Sequence, residues 1–154
     1  MSNYFFDTSA IVKRYVPEQG QSFILAICDP AQGHGLYISQ AAIVEVVAAI
    51  CRKARQKSIT IPERDILINR FIRDSRRTYG IRLVTTPMYI AAGNLCRSYN
   101  LRAYDAVQLA CAIGLRDKAL INQALPPIFV CADNNLIDIA MAEGLSVENP
   151  HNYL

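Results

Sequence analysis

The chain has 154 residues, 52% hydrophobic and 19% charged, with a formal net charge of +3. That length suits a single domain over residues 1–154, and the apolar fraction excludes a disordered class. No basic segment followed by an apolar run opens the sequence. The longest apolar region, Ala41 to Cys51, is short and carries Glu45, so neither a signal peptide nor a membrane span is expected.

In chain order, Tyr4-Phe5-Phe6 is an uninterrupted apolar run that predicts a strand buried on both faces, running out into Asp7-Thr8-Ser9. Ala10 to Tyr15 reads as a short helix interrupted by Pro17, and Gln21 to Cys28 as a second. After a loop rich in Gly and Pro, Leu36 to Ser39 predicts a strand, with Ser39 as a cap for a helix over Ala41 to Lys57. Pro62 opens another helix that runs to about Tyr79 and is ended by Gly80. Ile81 to Val84 is the third predicted strand, followed by helices from Pro87 to Tyr99 and from Ala103 to Leu115. Ile128 to Cys131 forms a fourth strand, and Asp133-Asn134-Asn135 starts a helix capped by Gly144. Ser146 to Glu148 is a last edge strand. Strands alternating with helices predict a parallel α/β sheet.

The five cysteines are odd in number, dispersed and without a Cys-x-x-Cys pair, which suits reduced core thiols of a cytoplasmic protein. His34 and His151 lack zinc-ligand spacing to any of them. Charge is uneven. Arg52 to Arg82 holds ten Lys/Arg against three Asp/Glu, +7, while the rest of the chain carries −4. Such a block is commonly a solvated helical face; its functional reading is a phosphate-contacting flank beside an acidic centre.

Four acids stand out. Glu45 has only Ala41, Ala42, Ala48 and Ala49 at helical spacing, and its apolar surround makes burial costly without a cation or a proton. Taken singly, Asp7 and Asp133 read as helix caps, and Asp105 as a first-turn acid paired with Arg102. Taken together, Asp7 and Asp133 end apolar strands, while Glu45 and Asp105 begin helices. Helices of a parallel sheet start near the strand carboxyl ends, so all four acids can gather at one edge. An all-oxygen cluster of this kind suits Mg²⁺ or Mn²⁺ and two-metal phosphodiester hydrolysis.

Asp7-Thr8-Ser9-Ala10-Ile11-Val12-Lys13, Glu45 within Ile43-Val44-Glu45-Val46, Leu101 to Ala110 around Asp105, and Ala132-Asp133 before Glu143-Gly144-Leu145 resemble PIN-domain proteins. The likeness extends to VapC-type ribonuclease toxins of toxin–antitoxin pairs and runs from Tyr4 to Pro150. It implies a three-layer α/β/α fold with a five-stranded parallel sheet in the order 3-2-1-4-5. It also implies that Asp7, Glu45, Asp105 and Asp133 are metal-binding acids, with Ser9 as the small polar residue beside the first. The implied activity is Mg²⁺- or Mn²⁺-dependent cleavage of RNA, and the implied partners are a VapB-type antitoxin and a second copy of the chain. Asp138 is a spare acid expected on an exposed face. Two other readings compete. One is a catalytically silent PIN-like module that binds a protein in the acidic groove. The other is a phosphoryl-accepting or phosphatase-like domain using Asp7; Ser9, where phosphatases of the haloacid dehalogenase type carry a second Asp, weighs against it.

Overall fold

The computed structural model describes residues 1–154. Strand β1 (Asn3–Phe6) is central, and its Phe5 and Phe6 are completely buried. It is followed by the short helix α1 (Thr8–Ile11), which tightens into a 3-10 turn over Val12–Arg14, and by α2 (Gln21–Ile27). Strand β2 (Gly35–Ser39) leads into α3 (Ala42–Arg55) and α4 (Ile61–Arg77). Then come β3 (Gly80–Arg82), α5 (Thr86–Ser98), α6 (Ala103–Ile121), β4 (Ile128–Val130), α7 (Asn134–Ala142) and β5 (Ser146–Glu148). A last 3-10 turn covers Pro150–Asn152.

The five strands form one sheet in the order β3-β2-β1-β4-β5, and every pairing is parallel. Alternation along β1 divides the core, because successive strand side chains point to opposite faces. Phe6 joins Ile38 and Val130 beneath α1, α2, α3 and α4, whereas Phe5 joins Phe129 and Cys131 beneath α5, α6 and α7. The architecture is therefore the expected three-layer α/β/α sandwich. No helix is long and apolar enough to cross a membrane.

Several local expectations are corrected. Gly80 does not stop α4; it opens β3, and a Cβ there would lie 2.6 Å from the Tyr37 ring on the neighbouring strand. The glycine is needed for close approach. Helix α6 extends six residues past Leu115, through Arg116-Asp117-Lys118 to Ile121. The cysteines are all free, but only Cys28, Cys111 and Cys131 are core residues; Cys96 is exposed and Cys51 only partly buried. Gly144 has φ +83° just beyond α7, the left-handed position at which a helix commonly ends on glycine.

Candidate active site

The backbone brings the ends of β1 and β4 side by side: Asp7 N–H donates to Val130 O at 2.9 Å. Asp7 and Asp133 therefore leave adjacent strands at the same edge of the sheet. Glu45 and Asp105 lie in the first turns of α3 and α6. All four acids line one groove of about 680 Å³, together with Thr8, Ser9 and Tyr104. The groove also holds Glu18 and the cations Lys13, Arg52, Lys53 and Arg102.

Each carboxylate is fixed by its own neighbours. Asp7 is buried and caps α1: its Oδ2 accepts from Ser9 N (3.0 Å) and from Ser9 Oγ (2.6 Å). Ser9 Oγ in turn accepts from Ala132 N at 2.9 Å, which ties the β1 end to the loop carrying Asp133. Asp133 caps α7 through Oδ1, which accepts from Leu136 N at 3.0 Å. Glu45 Oε1 accepts from Gln108 Nε2 at 2.7 Å, and the same amide nitrogen donates to Thr8 Oγ1 at 3.1 Å. Arg102 Nε lies 3.7 Å from Asp105 Oδ2, the pairing expected from the sequence. With these local tethers, no three His, Cys, Asp or Glu side chains converge into a ready-made metal-ligand set.

The electrostatics record the crowding. Burial pushes the Asp7 carboxyl above the usual range, against the opposing hydrogen bonds from Ser9. Burial also raises Glu45, with the Gln108 hydrogen bond opposing and the charges of Asp7 and Asp105 adding to the rise. Asp105 is raised by burial, then by Asp7, with Arg102 opposing. The Cys131 thiol lies 3.7 Å from Asp7 Oδ2; burial and the Asp7 charge push its pKa up, so it remains protonated beside the acids.

The structure thus brings every sequence-predicted site residue onto one groove, while Asp138 is exposed on α7 as expected. Only Arg52 and Lys53 of the basic block line it. Several others pair locally, as Arg64 does with Asp65 and Arg73 with Asp74. Tyr104 is 53% exposed at the groove rather than in the core. Sequence reasoning assigned no role to Gln108, the fully buried side chain that positions Glu45. Its signal was a lone amide within the apolar run from Ala106 to Ile113.

A family model described as PIN domain matches residues 4–125. Ribonuclease VapC45 of Mycobacterium tuberculosis is 32% identical over 127 residues, covering 76% of this chain and 79% of the relative. Ribonuclease VapC49 of the same species matches with the same figures. Among solved structures, FitAcB from Neisseria gonorrhoeae superposes with a TM-score of 0.62 at 13% identity, covering 96% of this chain and 97% of that one. VapBC2 from Rickettsia felis, bound to a DNA fragment from their promoter, superposes with a TM-score of 0.60 at 16% identity, covering 96% and 98%. At such identities the structural matches speak for the fold alone; the family model and the sequence relatives go further, and the chain belongs to the PIN-domain family, in which the relatives it matches are VapC ribonucleases.

Proposed function

We propose that the protein is a metal-dependent endoribonuclease, the toxin of a VapBC-type pair, and that it hydrolyses RNA in the groove between β1, α3, α6 and the β4–α7 loop. The observation that carries this reading is that four carboxylates from four separate elements line one groove. The residues fit a hard divalent cation. The acid donors are all oxygen, three of the carboxyls are raised by burial, Glu45 and Asp105 also by neighbouring acids, and the nearby thiol is held protonated. Asp7, Glu45, Asp105 and Asp133 would hold Mg²⁺ or Mn²⁺. When bound, such a cation supplies Lewis-acid stabilisation of phosphate charge and activation of water.

The remaining work falls to the chain itself. Ser9 fixes the Asp7 carboxylate through two hydrogen bonds, and its own acceptor contact keeps it in register with the Asp133 loop. Gln108 holds Glu45 toward the groove. Groove cations counter the strand's phosphates, and the exposed Tyr104 ring offers a face on which a base can stack. The same reading assigns the protein a VapB-type antitoxin, a homodimeric assembly and a cytoplasmic setting in which its five free thiols stay reduced.

Sequencing RNA ends after brief expression in cells, wild type against Asp7→Asn, tests the reading. New 5′-phosphate and 3′-hydroxyl ends at defined sites in the wild type alone are expected. Identical end profiles from the two proteins would overturn it.

A further inference from the structure

The groove carries a second cluster that the acid centre does not use. Lys13, from the 3-10 turn after α1, is only 3% exposed although it bears an ammonium group. Its one hydrogen bond is to His151 Nε2, at 3.1 Å. Because an ammonium can only donate, the imidazole nitrogen is the acceptor in this contact. Glu18 Oε2 lies 3.7 Å from Lys13 Nζ and 3.7 Å from Lys53 Nζ, beyond hydrogen-bonding distance from either. Two cations therefore share one carboxylate, and the buried ammonium spends one of its three donors. Burial is the largest influence on Lys13 and lowers its pKa, and the Lys53 charge lowers it further against the Glu18 attraction. Such a site favours an additional anion.

Its position identifies the anion. On α3 the residues lining the groove are Val44, Glu45, Ala48, Ala49, Arg52 and Lys53, a stripe at helical spacing. Lys53 is eight residues beyond Glu45, about 12 Å along the axis at the usual helical rise. The two alanines between them leave the floor low enough for an extended strand. An anion held at Lys53 therefore lies along the same groove as one held at the acids, within the span of a single extended strand. Lysine suits this task as a point charge that requires no fixed bidentate geometry.

We propose that Lys13 and Lys53 form a subsite for a flanking phosphodiester of the bound RNA strand, with the Glu18 carboxylate taking the anion's place in the free protein. The inference rests on the groove being the RNA-cleaving site. His151, from the last turn of the chain, is a positioning residue that holds Lys13 without competing for the anion.

The test is fluorescence anisotropy of a labelled single-stranded RNA oligonucleotide, with Mg²⁺ present, over a salt series. It uses the Asp7→Asn background, so that the RNA stays intact. Lys13→Gln and Lys53→Gln should each weaken binding by about tenfold and make the log–log salt slope shallower by about 0.7, the increment for one phosphate contact on a single strand. Glu18→Gln should tighten binding, and Lys118→Gln, away from the groove, should match the background. A merely structural role would not move the slope. Unchanged affinity and slope in both lysine variants, or weaker binding by Glu18→Gln, would overturn the subsite. If Lys13→Gln fails to fold, the partly exposed Lys53 and Glu18 positions still decide. Wild-type protein assayed in parallel with Mn²⁺ separates the two claims. Cleavage with unresponsive lysine variants refutes the subsite alone, and absence of cleavage refutes the ribonuclease reading.

Discussion

At the scale of single residues, capping and function coincide instead of competing. The hydrogen bonds to Asp7 from Ser9 and Cys131 all end on Oδ2, and Asp133 caps through Oδ1. Each carboxylate thus keeps an oxygen that those bonds do not engage, so a helix cap also serves as a groove acid. Glu45 differs, because its tether is the Gln108 amide, whose own Oε1 is buried without a partner. The Glu45 pKa is raised in the fold, so ionisation opposes folding. The contribution favouring the fold is complete below the ordinary carboxylate value and is lost as pH rises through the raised one. Glu45→Gln keeps an acceptor for Gln108 and removes the charge. In EDTA, the variant should match the wild type in urea unfolding at pH 4 and be equally or more stable at pH 7, while RNA cleavage is lost. A variant clearly less stable at pH 7 that still cuts RNA would make Glu45 a structural residue.

At the scale of elements, the alternation of strands and helices and the acid-bearing edge were legible in the sequence because they follow from local signals, whereas the strand order came only from the family resemblance. An apolar run ending in Asp, and a glutamate set among alanines, place carboxylates without knowledge of long-range contacts. What could not be read depends on partners far away in the chain. Gly80 after a long helix resembles a stop, and only the Tyr37 ring beside it explains its place in β3. Gln108 meets a residue 63 positions away, and Lys13 meets one 138 positions away. The basic block showed its charge but not its direction, and only Arg52 and Lys53 of it line the groove. Helix α4 begins with a capping box: Thr60 Oγ1 accepts from Glu63 N, and Glu63 Oε2 accepts from Thr60 N. Thr60→Ala should cost about 1 kcal/mol, seen as a melting temperature lower by roughly 2–4 °C. Because Thr60 and α4 do not line the groove, cleavage at 25 °C should be unchanged. An equal melting temperature would show that α4 does not depend on its cap.

At the scale of the whole molecule, the groove is a store of unfavourable charge. Asp7, Glu45 and Asp105 are all raised by burial, and Asp7 adds to the rise of the other two. A cation that binds only the folded chain both relieves this repulsion and stabilises by mass action. Added Mn²⁺ should therefore raise the melting temperature of the wild type, with no comparable rise after replacement of Asp7, Glu45, Asp105 and Asp133 together by their amides. An equal rise in the quadruple variant would place the metal elsewhere. The central claim is that these carboxylates perform the chemistry, and single-residue isosteres address it most directly. The decisive measurement is cleavage of a defined single-stranded RNA by purified wild type, Asp7→Asn and Asp105→Asn, each with Mn²⁺ and with EDTA. Folding of each protein is checked by circular dichroism. Cleavage by the wild type with Mn²⁺ alone, and by neither folded variant, is the predicted result; cleavage by either variant at the wild-type rate, or by wild type in EDTA, would contradict it.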